Sequence, residues 1–167
     1  MAFSLVTSAE QSVSSLPVLL VVRGGMTVGM TGQQEDPMSV FSDAEIEYLA
    51  SQRLGRLATV GHDGMPHVVP VAFRYNPDAD TIDIGGHDFA KRKKFRDVKR
   101  TGMAALVVDD VLPPWQPRAV EVRGEASTLD TGGKAIMEGF DDPIIRISPR
   151  RIVSWGLEDG FQARSIG

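Results

Sequence analysis

The chain contains no cysteine, so disulfide frameworks, thiolate metal sites and cysteine nucleophiles are all excluded. A chain without disulfides is most easily housed in a reducing interior, and the expected location is the cytoplasm. Histidine is scarce: His62, His67 and His87 are the only three, and they lack metal-ligand spacing on one element, so no metal is expected. The longest apolar run, Leu16 to Val22, is far shorter than a membrane span, and no cations precede it as a secretory signal requires. No membrane association is expected. Aromatic residues make up only 7% and offer no row on which bases could stack. With a net charge of −4, this speaks against a nucleic-acid partner.

The 167 residues suffice for one domain with a proper core. Residues 1–37 read as a leader, rich in Ser, Gly, Thr and Gln and without helical or strand period. A flexible or mis-assigned start fits this composition; an arm packing on a partner subunit is the alternative. Residues 38–167 form the domain. Ser42-Asp43-Ala44-Glu45 is a capping box opening a short helix, with Ile46, Leu49 and Ala50 as its apolar face. Leu57 to Val60 reads as a strand, and His62-Asp63-Gly64 as a hairpin turn.

His67 to Tyr75 is a strand apolar on both faces, so both need cover. Pro70 within it belongs at an edge, a bulge or a ligand contact, because it cannot donate to a ladder. Asn76 to Asp80 is a turn, and Thr81 to Gly85 a third strand. Met103 to Val108 gives a fourth. Residues 111–118 contain three prolines and read as an irregular loop. Ala119 to Ala126 alternates cleanly, with Val120, Val122, Gly124 and Ala126 inward. Ile144 to Trp155 gives the last strand, interrupted near Pro149. Six hairpin-linked strands with few helices predict a mainly β protein, a small antiparallel barrel.

Seven cations fall between Lys91 and Arg100 of this acidic chain. With Asp88 as N-cap, Lys91, Arg92, Lys93 and Lys94 crowd the first turn of a helix. The helix dipole already makes that end positive, so each misplaced cation costs roughly 0.3–1 kcal/mol. Such a violation predicts compensation by an anion, a phosphate or a polycarboxylate. Gly85-Gly86 lets a ligand approach the backbone, and His87 is poised either for anion contact or as loop filler. Trp115 and Trp155 are candidates for ring stacking, though tryptophan more often serves a core or an interface. The adjacent pairs Asp109-Asp110 and Asp141-Asp142 point different ways and read as turn or cap residues. No nucleophile elbow or spaced acid pair stands out, so no catalytic side chain is assigned.

The order Leu57-Ala58-Thr59-Val60, Asp63-Gly64-x-Pro66-His67-Val68-Val69-Pro70-Val71, Ile82-x-Ile84-Gly85-Gly86, Arg92-x-Lys94-x-Arg96-Asp97-Val98 and Val120-Glu121-Val122-Arg123-Gly124 resembles the pyridoxamine 5′-phosphate oxidase-like split-barrel superfamily. Within it the chain is most similar to the actinobacterial branch that uses the deazaflavin coenzyme F-420. The resemblance covers about Met38 to Leu157. It implies a six-stranded antiparallel split β-barrel with flanking short helices, and a homodimer with cofactors across its interface. It also implies an oxidoreductase passing hydride to a small-molecule substrate. Arg92 and Lys94 would hold the cofactor phosphate, Val69, Pro70 and Val71 would run beside the ring, and Gly85 and Gly86 would border the phosphate arm. His87, Lys91 and Lys93 join the candidate site. Thr101-Gly102-Met103 departs from the Asp-Pro-Arg of many relatives and puts that turn in doubt. FMN is the alternative cofactor, and a non-catalytic cofactor-binding protein or a nucleic-acid-binding barrel are the alternative functions. The surplus cations favour F-420, whose poly-glutamate tail adds negative charge.

Overall fold

A computed structural model describes residues 39–167; the leader and its apolar run lie outside the described residues. Ser42 caps α1 (Asp43–Ser51) through the expected reciprocal box, with Glu45 N–H on Ser42 Oγ and Ser42 N–H on the Glu45 carboxylate. The buried face differs from the one expected. Glu45, Tyr48 and Leu49 are buried while Ala50 is exposed. Burial of Glu45 is made possible by three partners: Ser42, Ser154 and Arg164.

Seven strands follow: β1 (Gly55–Val60), β2 (Pro66–Asn76), β3 (Thr81–Gly85), β4 (Met103–Leu112), β5 (Gln116–Leu129), β6 (Ile144–Leu157) and β7 (Gly160–Ser165). They pair antiparallel in the order β3-β2-β1-β4-β5-β6-β7, and β3 also pairs with β6. The first six thus close into the expected barrel, and β7 is an added strand. The closing seam is the pairing of Ile82, Asp83 and Ile84 with Ile147, Arg146 and Ile145. Across it Arg146 grips the buried Asp83 with two N–H donors, at 2.6 and 2.8 Å. β6 therefore serves two neighbours on one side: β3 along its first half and β7 along its second.

Most of the residues expected to alternate on β5 do so, with Glu121 and Gly124 half-buried. Val120, Val122 and Ala126 are buried and Arg123 and Glu125 exposed. They meet Leu57, Val71, Ile84, Leu106, Ile145 and Ile152 in one continuous core. The break near Pro149 is a β-bulge: Arg123 faces Arg151 but Gly124 faces Pro149, so Arg150 is the extra residue. Gly124 is obligatory there, since a Cβ would lie 1.9 Å from Ser148 O.

Two further expectations are corrected. Residues 111–118 are not an irregular loop; Val111 pairs with Pro117 and Leu112 with Gln116, leaving a tight hairpin at Pro113–Trp115. The prolines are tolerated because they sit at the far end of the ribbon, where few ladder donors are needed. The helix expected from Asp88 is split. A 3-10 turn spans Phe89–Lys91, and α2 (Lys93–Thr101) starts only after it, with Arg92 at the N-cap. Asp88 adopts a left-handed backbone and makes no side-chain cap. Two cations, Lys93 and Lys94, therefore open the helix rather than four, and its first turn holds no acid. The doubtful turn after α2 is made by Gly102, which takes φ +67° and donates its N–H to Val98 O. A single short helix, α3 (Gly133–Ile136), precedes β6. No helix among the described residues is long and apolar enough to cross a membrane.

Candidate functional site

β3 reaches only as far as Ala72 on β2. Beyond that point, from Pro66 to Val71, this edge of β2 has no partner strand among the described residues. Pro70 occupies this free stretch, one of the places its missing N–H allows. Beside it lies a cavity of about 320 Å³, lined by Pro70, Val71, Ala72, Gly85, Gly86, His87, Phe89, Arg92, Lys94 and Phe140. Residues brought in from β2, the end of β3, the 3-10 turn and the start of α2 thus converge on one hollow.

Its charge is unbalanced. Arg92 donates Nε–H to the carbonyl of His87 at 3.1 Å, and this holds the guanidinium at the cavity rim. Neither Arg92 nor Lys94 meets a carboxylate among the described residues. The Lys94 ammonium stands 5.3 Å from the centroid of the Phe89 ring. Burial first, and then the Arg92 charge, pull Lys94 below the ordinary lysine value. A cation held at a free-energy cost in a half-buried hollow is relieved by an anion, because opposite charge favours the ionised form. The donor set fits a phosphate: one planar fork and one point charge.

Seven of the ten candidate residues line this cavity: Pro70, Val71, Gly85, Gly86, His87, Arg92 and Lys94. Three do not. Val69 packs half-buried against the core. Lys91 is exposed and pairs with Asp88 at 3.1 Å. Lys93 pairs with the buried Asp97 at 2.7 Å and faces a different hollow. The glycines have a packing role besides any ligand role. A Cβ on Gly85 would come within 3.0 Å of Ile136 Cδ1 and 3.2 Å of Phe140 Cδ2, and one on Gly86 within 3.1 Å of Phe89. His87 packs edge-on against Phe140 at 5.2 Å. Phe89 and Phe140 were not singled out in the sequence, and nothing in their local pattern marks them. Trp115, 77% exposed at the hairpin tip, and Trp155 on β6 lie outside the cavity. His67 is partly buried on β2, its Nδ1 without a partner among the described residues, and it too lies outside.

The carboxylates act structurally. Asp110 is held by Arg118 at 2.6 and 2.9 Å across the β4–β5 ladder, and Asp141 accepts the Phe89 N–H. Alternation along β4 sends Asp109 the other way, toward Arg56.

Pro70 also belongs to a second surface. Register places Ala58, Val60, Pro66, Val68, Pro70 and Ala105 on one outward face of β1, β2 and β4. Val68 is 61% exposed there, so no described residue covers the outer face of β2. A groove of about 590 Å³ continues this face across Met103 and Gly124 toward Arg150.

A barrel of this topology, with a paired cation hollow at the end of its third strand, invites comparison with known proteins. The family model described as pyridoxamine 5′-phosphate oxidase matches residues 41–150. The chain belongs to this family. A 5a,11a-dehydrotetracycline/5a,11a-dehydrooxytetracycline reductase of Streptomyces rimosus is 46% identical over 132 residues, covering 75% of this chain and 93% of that protein. Among solved structures, a conserved hypothetical protein of Mycobacterium tuberculosis superposes with a TM-score of 0.57 at 22% identity. That match covers 77% of this chain and 94% of the other. An FAD binding protein of Mycobacterium smegmatis gives 0.51 at 23% identity, over 68% and 93%. At such identities these structures establish the fold alone. Family membership and the reductase relative together support an oxidoreductase of the pyridoxamine 5′-phosphate oxidase-like family.

Proposed function

We propose that the chain is a reductase that binds coenzyme F-420 beside β2 and passes hydride from its reduced form to a small organic acceptor. The observation that carries this reading is the pair of cations, Arg92 and Lys94, at the mouth of the β2–β3 hollow, with no carboxylate partner among the described residues. These two residues would hold the cofactor phosphate. The partnerless edge of β2 from Val69 to Val71 would flank the ring. When bound, the reduced deazaflavin supplies hydride, and the organic chemistry is its own. The protein's part is to orient the reactants and exclude water, with Phe89, Phe140 and Val71 as apolar wall.

The reductase relative, 46% identical, supports reduction of an organic acceptor. The excess of cations on α2 over the needs of one phosphate supports F-420 over FMN. The uncovered apolar face around Val60 and Val68 supports a homodimer, since a contiguous exposed apolar patch of this kind marks an interaction surface. Because Pro70 shares this face with the cation hollow, a second subunit would complete the site. The cytoplasm is the proposed location.

Fluorescence titration with F-420 and with FMN tests the reading, followed by optical screening of the reduced cofactor against dehydrotetracyclines, quinones, enones, tetrapyrroles and nitroaromatics. Saturable F-420 binding with oxidation by one acceptor class is expected. FMN binding without F-420 binding would overturn the cofactor assignment; tight binding without turnover on any acceptor would overturn catalysis. FMN is the second reading, favoured by the flavin-binding neighbour of the same fold.

A further inference from the structure

The loop that brings Arg92 to the cavity runs from the end of β3 to the start of α2 and contains one 3-10 turn, Phe89–Lys91. Asp88 stands where a residue would cap that turn, but it makes no side-chain cap bond. The cap comes instead from 52 residues downstream, where Asp141 Oδ2 accepts the Phe89 N–H at 3.2 Å. Asp141 also donates its own N–H to the carbonyl of Gly86 at 3.3 Å. One residue thus ties the loop at two points, with His87 and Asp88 between them.

Both ties bear on the cavity cations. The His87 carbonyl is the acceptor that holds Arg92 Nε–H at 3.1 Å, and the His87 ring lies edge-on against Phe140, the neighbour of Asp141. The Phe89 ring stands 5.3 Å from the Lys94 ammonium. Asp141 therefore fixes the backbone on either side of the arginine's anchor, and the residue whose ring faces the lysine. The segment that supplies Asp141 is itself pinned. Gly133 donates its N–H to the Asp142 carbonyl at 3.0 Å, and Arg74 Nη1–H reaches the Ala135 carbonyl at 3.3 Å. A Cβ on Gly133 would overlap the Asp141 carbonyl, so this close approach needs glycine. Asp141 joins no ion pair among the described residues.

We infer that Asp141 is a positioning residue for the anion cavity, presetting Arg92 and Lys94 through its two ties to Gly86 and Phe89. Preset donors lose little conformational freedom on binding, so the ties raise affinity without touching the ligand. The inference rests on the function proposed above for its ligand, a coenzyme phosphate, but the positioning is measurable in the empty protein. Charge and geometry predict opposite signs. An acid near an anion site repels the ligand, so a residue acting through charge alone would bind more tightly as either alanine or asparagine. A residue acting as a cap tolerates asparagine, whose amide oxygen also accepts an N–H, and does not tolerate alanine.

Fluorescence titration with F-420 of the wild type, Asp141→Ala, Asp141→Asn and Asp142→Ala reads the difference. Asp141→Ala should weaken binding by at least about fivefold, the worth of roughly one hydrogen bond. Asp141→Asn should match the wild type or bind slightly more tightly. Asp142→Ala removes an exposed neighbouring acid, which pairs with Lys134 at 3.9 Å, and should not weaken binding. In the empty protein, exchange of the Phe89 amide and of Arg92 Nε–H, followed by NMR, should quicken in Asp141→Ala and stay slow in Asp141→Asn. Asp141 is exposed, so these substitutions leave the core in place, and unchanged thermal midpoints check this. Unchanged or tighter binding by Asp141→Ala, or equal weakening by asparagine and alanine, would overturn the inference. Unchanged Arg92 Nε–H exchange in Asp141→Ala would also overturn it. If the wild type bound no F-420, the proposed cofactor would fall, and the exchange rates alone would decide whether Asp141 positions the arginine.

Discussion

Reversing the charge of Lys94 separates ligand binding from folding. Its ammonium lies half-buried, without an acidic partner among the described residues, and burial and Arg92 both disfavour its charge. Removing that charge therefore relieves the empty protein rather than harming it. For Lys94→Met, loss of one charge-assisted contact to a bound phosphate costs about 1.5–3 kcal/mol, or roughly 10–150-fold in affinity. For Lys94→Glu a repulsion is added. At about 4 Å and an effective dielectric near 20, two like unit charges repel by about 4 kcal/mol. Water at the cavity mouth screens part of this, and about half is a reasonable discount. The sum is about 3.5–5 kcal/mol, so F-420 affinity should fall by several hundredfold or more.

Fluorescence titration reads the loss, and a thermal melt of the empty protein should show an unchanged or slightly raised midpoint. Alkaline pH should act in the same direction. Binding needs the ammonium, so affinity declines as pH rises through the Lys94 value, which lies below the ordinary 10.5. Over the same range the empty protein should gain stability, because the unfolded chain there holds more protons. A Lys94→Glu protein that keeps its affinity within about tenfold would refute the reasoning.

Three further outcomes follow from the packing. Gly124→Ala drives a methyl into Ser148 O and should destabilise by more than about 3 kcal/mol in urea unfolding, because both sides are backbone in a bulge. Glu45→Gln strips the carboxylate from Arg164 and should cost roughly 3 kcal/mol, toward the low end for a buried pair because Arg164 is partly exposed. Burial alone would raise the Glu45 carboxyl, but Arg164, Ser154 and the Ser42 N–H together hold it below the ordinary value. Its share of stability is thus complete above about pH 4.5 and lost as pH falls through the lowered value, readable in the acid unfolding of wild type against the variant. Val68→Asp places a charge in the middle of the exposed apolar face and should convert the proposed dimer to monomer in sedimentation without changing the circular dichroism.

Much of the barrel was legible because its signals are local. The Ser42–Glu45 box, the turn at Asp63-Gly64 and the alternation from Val120 to Ala126 each declare themselves within a few residues. What was missed depends on distant partners. β7 has no apolar period; its burial pattern is almost wholly exposed, and it stays in place through Arg164, which bonds the Val40 carbonyl and Glu45 more than a hundred residues away. Only the Glu158-Asp159-Gly160 turn could have announced it. The candidate site was legible as a set of cations but not as a partition. Sequence places Arg92, Lys93 and Lys94 side by side, whereas the start of α2 sends Lys93 to Asp97 and the other two into the β2–β3 hollow.

The two-sided duty of β6 has a consequence for how the chain tolerates shortening. Barrel closure uses up only Ile145–Ile147 of that edge; the remainder, from Arg151 onward, is capped by the final hairpin arm. A protein truncated at Leu157 would present a raw row of amides and carbonyls to its neighbours. It would be open to strand-to-strand aggregation in concentrated solution, and the loss of Arg164 would at the same time leave the buried Glu45 without its cation.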